Sequence, residues 1–308
     1  MLEVNNISKS FADIQAVKDV SFSVQPGAFY GLLGPNGAGK STTINIISTA
    51  LAPDHGSVLI DGLDISKNKQ ACKLSLGIVP QEIALYEMLS AYDNLLFWGS
   101  LYKLPATELK QTINETLDLL GLLDRKNDKV STYSGGMKRR INIAAALLHR
   151  PKLLLMDEPT VGIDPQSRNL IFEVLERLHR NGMTIIYTTH YMEEAERLCK
   201  KIGIIDHGKI IAQGDLNELK GLVSSQESIR VTTDVLDDAL KATVQGKWGN
   251  RMQVESEQLV LETDHADQKL SDFIGNLNQI GVPIKNIAIE PVNLENIFMQ
   301  LTGRQLRD

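Results

Sequence analysis

The sequence predicts an α/β fold: a largely parallel sheet covered by helices, joined to a small antiparallel sheet and followed by a smaller α+β domain. Short apolar runs at wide spacing indicate the parallel strands, at residues 30–33, 77–79, 153–156, 184–188 and 202–205. Most of these runs are followed by helical periodicity, which is typical of parallel strands with covering helices. The runs LEV, VSFSV and SVLID near the N-terminus are separated by turn residues and favour the antiparallel sheet.

The segment between Glu82 and Arg150 has helical periodicity throughout and predicts an inserted helical subdomain, at about residues 82–150. A composition shift follows at residues 214–228, where SSQES is typical of a linker. We therefore expect a larger domain at residues 1–220, a linker at 221–228 and a smaller domain at 229–308.

The smaller domain has the pattern of a ferredoxin-like α+β fold. Strands are predicted at residues 229–233, 251–255, 259–263 and 284–290, and helices at 235–244 and 267–280. The resulting β-α-β-β-α-β order is the split βαβ motif. A last helix, at residues 294–301, is predicted to end at Gly303.

Composition excludes several classes of protein. Of 308 residues, 43% are hydrophobic and 23% charged, which is ordinary for a globular chain, and the net charge of −6 disfavours nucleic acid as a partner. Cys72 and Cys199 belong to no CxxC pattern, so we expect neither disulfide nor zinc and a reduced compartment. The N-terminus has no signal-peptide pattern, and no 18 consecutive residues are apolar. Any membrane-spanning part of the system is therefore expected to be a separate protein.

A glycine-rich loop carries the strongest chemical signal. GPNGAGKS, from Gly34 to Ser41, fits G-x-x-x-x-G-K-[ST] between the apolar run FYGLL and the helical STTINIIS. Gly37 and Gly39 allow backbone N–H groups to surround a phosphate, Lys40 reaches the β- and γ-phosphates, and the Ser41 hydroxyl can ligate Mg²⁺. The loop predicts a nucleoside-triphosphate site. The residues predicted to contact the nucleotide here are Asn36, Gly37, Ala38, Gly39, Lys40, Ser41 and Thr42.

Two acids and a histidine follow predicted parallel strands. KLLLMDEPT places Asp157 and Glu158 at a strand end, and TIIYTTH places His190 at the same sheet edge, where ligands of α/β sheets bind. Successive strand residues point in opposite directions, so Asp157 is predicted to hold Mg²⁺ and Glu158 to act as general base. His190 is predicted to contact the γ-phosphate and orient Glu158 or its water. The alternatives are a solvated acidic strand end and a structural histidine.

Asp164 has a purely structural explanation as well. IDPQSRNLIFEVLERLHRNG predicts a helix with Asp164 as N-cap, Pro165 at the first helical position and Gly182 at the C-terminal stop. Capping alone accounts for this aspartate, and spacing does not decide further.

A second glycine pair follows Ser134 in SGGMKRRINIAAALLHRP, which predicts an amphipathic helix. Ser134 can be its N-cap, but two glycines inside a helix cost about 1 kcal/mol each. The pair therefore indicates close approach of the backbone to something, and a helix N-terminus favours an anion.

Together these motifs resemble the ATP-binding cassette (ABC) family over roughly the first 215 residues. The motifs that carry the resemblance are the glycine-rich loop from Gly34 to Ser41 (the phosphate cradle), Gln81 after LGIVP, SGG, LLLMDEP, GIDP and the strand-end His190. The resemblance implies a P-loop NTPase ABC cassette with a RecA-like parallel core, an antiparallel β subdomain and a helical subdomain. It also implies a head-to-tail homodimer in which Ser134, Gly135 and Gly136 of one subunit cap the γ-phosphate held by the other.

Further roles are implied by the same resemblance. Gln81 is expected to bind at the Mg²⁺ site and to link it to a membrane partner, and Asp164 to lie at the dimer seam. Phe11 stands where the family places an aromatic residue that stacks on adenine. Val17 and Tyr133 complete the expected nucleotide contacts.

Tyr133 and Met137 replace the commoner Leu and Gln of the family signature, as in exporter ATPases similar to the daunorubicin-resistance class. The tail NLENIFMQLTGR, residues 293–304, resembles the closing segment of that class. The expected function is that of an exporter's ATPase subunit, using ATP and Mg²⁺ beside a separate permease at the cytoplasmic face of the cell membrane. A permease contact is expected between Gln81 and Leu101, where core packing is the alternative.

Three other functions are alternatives to an exporter ATPase. An ABC ATPase of DNA maintenance usually carries a coiled-coil insertion or a basic surface, and a ribosome-associated ABC factor two cassettes; neither pattern is seen. A phosphotransferase would use the cradle alone, without SGG and the strand-end histidine. The transported compound stays open, and the C-terminal domain is predicted to regulate, to dimerise, to hold the permease or only to pack.

Overall fold

The computed structural model describes residues 1–222, 227–263, 266–290 and 293–302. Contacts between Cα atoms divide the chain into two compact units, Met1–Leu216 and a second that begins at Asn217. None of the described helices has the length and apolar character needed to cross a membrane.

The described residues form three sheets and a set of helices. The strands are β1 (Leu2–Phe11), β2 (Ile14–Val24), β3 (Phe29–Leu33), β4 (His55–Ile60), β5 (Leu63–Asp64), β6 (Leu76–Val79), β7 (Leu153–Asp157), β8 (Thr184–Thr189), β9 (Lys201–Asp206), β10 (Lys209–Gly214), β11 (Glu227–Thr233), β12 (Met252–Val254), β13 (Gln258–Thr263) and β14 (Ile284–Glu290). The α-helices are α1 (Lys40–Ile47), α2 (Lys69–Leu74), α3 (Ala91–Ser100), α4 (Ala106–Leu119), α5 (Gly135–Leu147), α6 (Pro165–Arg180), α7 (Met192–Leu198), α8 (Leu216–Gly221), α9 (Asp238–Trp248), α10 (Ala266–Ile280) and α11 (Leu294–Thr302).

The central sheet has the strand order β10-β9-β3-β8-β7-β6. Its five predicted strands are confirmed, and they pair in parallel from β9 to β6. Alternate residues of β7 enter two different cores, with Leu154 and Met156 on one face and Leu153 and Leu155 on the other. Because both faces are covered, the strands read as continuous apolar runs.

Strand β10 was not predicted. It returns antiparallel to β9 through a tight turn at His207 and Gly208, whose φ angles are 46° and 81°. Two consecutive positive φ angles are typical of a two-residue hairpin, so the dipeptide before KIIAQG was a usable signal.

The predicted antiparallel sheet is confirmed, with order β2-β1-β4-β5. It shares a core with α1 and one face of the central sheet, which fixes the start of α1 beneath the glycine loop. This arrangement places the predicted phosphate cradle at the end of β3.

The helical subdomain is confirmed in α3, α4 and α5, but the prediction of helix from Glu82 onwards is wrong. Helix begins only at Ala91, where the Ser90 hydroxyl caps it by accepting the Asp93 N–H at 3.0 Å. The preceding segment is irregular because side chains bind its backbone instead. The Asn94 amide, for example, bonds both the N–H and the C=O of Tyr86.

The C-terminal sheet has the order β12-β13-β11-β14 and is antiparallel throughout, as in a ferredoxin-like fold. Strand β11 already begins at Glu227, within the predicted linker, because Glu227 pairs with Thr263 of β13. Helix α9 begins at Asp238 rather than at 235, since Asp237 is its N-cap. The predicted stop at Gly303 lies outside the described residues.

Candidate functional site

A cavity of about 330 Å³ opens between the glycine loop, the turn joining β1 and β2, and the ends of β6 and β7. Half of the residues that the sequence predicts to contact the nucleotide line this cavity. The lining residues are Phe11, Ala16, Asn36, Gly37, Gly39, Lys40, Ser41, Thr42, Gln81 and Glu158.

Two glycines of the loop have conformations that other residues rarely adopt. Gly37 and Gly39 have φ angles of 79° and 107°. A Cβ atom on Gly39 would lie 2.6 Å from the carbonyl oxygen of Ala16, so β2 backs the loop closely. The loop therefore keeps its shape only with glycine at position 39.

The side chains of two residues predicted to contact the nucleotide are buried. Val17 is fully buried in the core, and its neighbour Ala16 lines the cavity, because successive strand residues face opposite ways. The side chain of Ala38 is buried too, and its N–H donates to the Pro35 carbonyl at 3.2 Å. Neither side chain faces the cavity.

Lys40 forms an ion pair inside the cavity with the predicted general base. Its Nζ lies 2.9 Å from Glu158 Oε1 and donates to the carbonyl oxygens of Gly34 and Pro35, at 2.7 and 2.9 Å. Both charged side chains are at least 95% buried, at 4% and 5% exposure. The predicted base and the predicted phosphate-binding cation are thus paired with each other in this arrangement.

Thr188, which sequence reasoning missed, joins the two acids. Its hydroxyl donates to Asp157 Oδ1 at 2.7 Å and accepts the Glu158 N–H at 2.9 Å. Glu158 has a φ of 43°, a left-handed conformation that is costly for a residue with a Cβ. Asp157 is the last residue of β7, whereas Glu158 lies just beyond the strand and lines the cavity.

Gln81 and His190 meet at the other oxygen of Glu158. Gln81 Nε2 lies 3.5 Å and His190 Nδ1 lies 3.4 Å from Glu158 Oε2. His190 Nδ1 is buried and forms no hydrogen bond within the described residues. The structure therefore gathers Lys40, Gln81 and His190 around one carboxylate.

The predicted signature residues do not line this cavity within the described chain. Ser134 is the N-cap of α5 and accepts the Met137 N–H at 3.3 Å, and the Tyr133 hydroxyl donates to the Arg125 carbonyl. A Cβ on Gly136 would lie 2.2 Å from Ser167 Cβ, whereas one on Gly135 would meet nothing closer than 3.8 Å. The contact with Ser167 thus explains why position 136 is glycine, but no close contact within the described chain explains glycine at position 135.

Asp164 caps α6, as its structural interpretation predicts. Its Oδ1 accepts the Ser167 N–H at 2.9 Å. Hydrogen bonds from the backbone and the side chain of Ser167 lower the pKa of the Asp164 carboxyl. Phe11 stands at the cavity edge with 48% of its surface exposed, so one face is open to a flat partner.

A third buried acid, Glu194, was not predicted from the sequence. Glu194 accepts hydrogen bonds from Thr160, Tyr187 and Thr189 at 2.7, 2.9 and 2.8 Å. Burial, together with the nearby charge of Glu194, raises the pKa of Tyr187. This network connects the segment after Glu158 to the strand end before His190, and no sequence pattern marks a helical glutamate as buried.

The cavity chemistry fits a polyphosphate with a small cation. The start of α1 and Lys40 supply positive charge for phosphate oxygens. The described residues contain no cluster of three or more His, Cys, Asp or Glu side chains. Ser41, Gln81 and Asp157 carry oxygens of the type that Mg²⁺ prefers beside phosphate oxygens.

The sequence matches known proteins over its full length. The ABC transporter family model matches residues 17–161. The chain is 45% identical over 312 residues to the linearmycin resistance ATP-binding protein LnrL of Bacillus subtilis, covering 100% of both chains. It is 35% identical over 308 residues to the Nod factor export ATP-binding protein I of Sinorhizobium fredii, covering 100% of this chain and 87% of that protein.

Solved structures agree with the fold of the larger unit. An ATP-binding subunit of an ABC transporter superposes with a TM-score of 0.66 at 30% identity, covering 72% of this chain and 92% of that chain. A dimeric ATP-binding cassette in a post-hydrolysis state, bound to ADP and phosphate, gives a TM-score of 0.63 at 28% identity, with 70% and 99% covered. The chain therefore belongs to the ABC transporter family, as one of its nucleotide-binding, ATP-hydrolysing subunits.

Proposed function

We propose that the chain powers an exporter: it closes as a head-to-tail homodimer around ATP and Mg²⁺ and drives a separate permease from the cytoplasmic face of the cell membrane. Two relatives that align with the whole chain are named for linearmycin resistance and for Nod factor export, which supports the exporter class. The single observation that supports a permease partner is an exposed apolar surface in the segment that follows Gln81.

ATP binding and hydrolysis are assigned to the gathered side chains. A phosphate oxygen entering the cavity competes with Glu158 for Lys40, and the exchange frees the carboxylate to accept a proton from the attacking water. Gln81 and His190, both near Glu158 Oε2, orient that carboxylate, and His190 Nδ1 has no competing hydrogen bond. The exposed ring face of Phe11 stacks on adenine.

Ser41, Gln81 and Asp157 are the residues that would hold Mg²⁺. When bound, the ion offsets the negative charge of the phosphate oxygens. Asp157 already has one oxygen fixed by the Thr188 hydroxyl, so its other oxygen is oriented in advance.

The homodimer completes the site. The start of α5 does not line the chain's own cavity in the described residues, and its N–H groups and Ser134 are suited to an anion. In the dimer, Ser134, Gly135 and Gly136 of one subunit cap the γ-phosphate in the other. A solved cassette similar to this chain is dimeric. Asp164 and Tyr133 lie near this contact in the proposal.

The permease contact is assigned to the apolar surface of the helical subdomain. Six large apolar side chains that follow Gln81 are 37–71% exposed, and Tyr86 packs edge-on against Phe97 at 5.0 Å. Core packing explains their neighbours Ala91 and Leu95 but not these exposed residues. The members of this apolar surface are Tyr86, Met88, Leu89, Leu96, Phe97 and Leu101. Exposed apolar patches mark interaction sites.

Affinity purification from detergent-solubilised membranes tests the proposal. Wild-type chain and Phe97→Glu are compared with Ile211→Glu, a matched control because Phe97 and Ile211 are both 39% exposed. A polytopic membrane protein should co-purify with wild type and Ile211→Glu but not with Phe97→Glu, while ATPase activity of the isolated chain stays equal in all three. Recovery by all three variants would overturn the assigned surface, and recovery of ribosomes or DNA-repair proteins instead would overturn the exporter.

A further inference from the structure

We propose that Arg139 and Asn142 of α5 are positioning residues that bind the segment carrying Gln81 to the helix that begins at Ser134. Gln81 therefore moves together with the γ-phosphate-capping end of α5. This inference rests on the role proposed above for Gln81. Neither residue touches the cavity, and neither was predicted from the sequence.

Arg139 holds the segment at its start. Its side chain is 3% exposed, Nη1 donates to the Pro80 carbonyl at 2.6 Å, and Nη2 donates to the Gln81 carbonyl. Burial lowers the pKa of Arg139, so the buried charge is costly unless those two carbonyls receive it.

Asn142 holds the next residues. Its Oδ1 accepts the Ala84 N–H at 3.2 Å, and its Nδ2 donates to the Glu82 carbonyl at 3.2 Å. Arg139 and Asn142 are three residues apart on α5 and so lie on the same helix face. Together they bind four backbone groups, one each from Pro80, Gln81, Glu82 and Ala84.

These bonds restrict the motion of residues 80–84 relative to α5. Residues 80–84 contain no helix or strand, so these side chains supply bonds that a regular element would supply internally. A segment held in this way separates from α5 only by leaving buried polar groups unpaired. The Gln81 amide, 3.5 Å from Glu158 Oε2, then reaches or leaves the carboxylate as α5 moves.

The alternative is that Arg139 and Asn142 only stabilise the subdomain. Arg140→Met is the matched control for this alternative, because Arg140 is the adjacent arginine and its Nη1 donates to the Leu120 carbonyl at 2.7 Å, away from Gln81. The variants Arg139→Met, Arg139→Lys and Asn142→Ala are compared with it. Arg139→Lys keeps the charge but loses the bidentate contact with the Pro80 and Gln81 carbonyls. It replaces the methionine variant if that variant fails to fold.

The test measures kcat and KM for MgATP and hydrogen exchange of residues 80–84. We expect Arg139→Met to lower kcat by about 10- to 100-fold with KM little changed, as for a misplaced catalytic group. Exchange at residues 80–84 should rise in Arg139→Met and Asn142→Ala but not in Arg140→Met. Combined with Gln81→Ala, Arg139→Met should cause no further loss, since both act through one residue.

The outcomes separate the two proposals. A full additive loss in the double variant, or an equal loss in Arg140→Met, would overturn the positioning role while leaving Gln81 in place. An unchanged exchange rate at residues 80–84 in both Arg139 variants would overturn it as well. Wild-type turnover in Gln81→Ala alone would instead remove the role proposed for Gln81.

Discussion

Lys40 and Glu158 form a buried ion pair, with 2.9 Å between Nζ and Oε1, in the cavity that receives the phosphates. The pair holds the lysine of the glycine-rich loop against the carboxylate proposed as general base. Because Lys40 also binds the Gly34 and Pro35 carbonyls, it lies against the loop rather than extending across the cavity. A nucleotide must therefore displace a carboxylate to reach Lys40, which couples binding to release of the base.

Glu158→Gln is expected to change both hydrolysis and binding. Loss of the general base should lower ATP hydrolysis by about 10²- to 10⁴-fold. The neutral amide competes less well for Lys40, so ADP affinity should rise by about 10-fold, the equivalent of one ordinary charged contact. Equilibrium titration with ADP measures the second effect without the dimerisation that ATP induces.

Glu193→Gln is the control for this variant, because Glu193 is exposed and loses the same charge. Its ADP affinity and turnover should match wild type. Unchanged ADP affinity in Glu158→Gln would show that the ion pair does not compete with the nucleotide.

Thr188→Val should disturb the acids without removing either. The variant keeps the shape of the side chain but deletes the hydroxyl that joins Asp157 Oδ1 to the Glu158 N–H. A buried polar group left unpaired costs about 1–3 kcal/mol, so thermal stability should fall. The Mg²⁺ concentration needed for half-maximal activity should rise, and Thr188→Ser should restore both values. Wild-type Mg²⁺ dependence in Thr188→Val would contradict the role of this hydroxyl.

The two signature glycines should respond differently to alanine. Gly136→Ala places a Cβ about where Ser167 Cβ already lies, 2.2 Å away, and overpacking of this kind costs about 1–3 kcal/mol. Gly135→Ala has space within the chain and should keep the wild-type melting temperature, while losing ATP-dependent dimerisation. Adding Ser167→Gly to Gly136→Ala should recover stability, since it removes the obstructing atoms. If the melting temperature of the double variant does not recover, the clash with Ser167 is not what excludes a side chain at position 136.

His149 should make stability depend on pH. Burial lowers its pKa below the ordinary 6.5, its Nε2 donates to the Leu76 carbonyl at 2.8 Å, and its ring stacks on Tyr102 at 3.7 Å. The folded state thus favours neutral histidine, while the unfolded chain binds a proton below about pH 6.5. Stability should fall as pH drops below that value.

His149→Gln keeps an amide donor for the Leu76 carbonyl and removes the titration. The difference in melting temperature between about pH 7.5 and pH 5.5 should be smaller in the variant than in wild type. Equal pH dependence in both proteins would assign the acid sensitivity to other groups.

The fold was predictable where local pattern and tertiary environment agree. Apolar runs located the five parallel strands, because a sheet buried on both faces tolerates little else. Prediction failed where side chains replace backbone pairing: residues 82–90 have helical periodicity, yet Asn94 and Asn142 bind the backbone there. It also failed for β10, which was not predicted although His207 and Gly208 form a hairpin turn before it.

The sequence by itself determined the chemistry, because the spacing of GPNGAGKS and the strand-end positions of Glu158 and His190 depend only on local geometry and strand order. Tertiary structure alone decided that Lys40 pairs with Glu158, that Thr188 joins the two acids and that Ala16 rather than Val17 faces the cavity. Those contacts join residues far apart in the chain, whose distances are set by how the sheets and helices pack. Local periodicity contains no information about them.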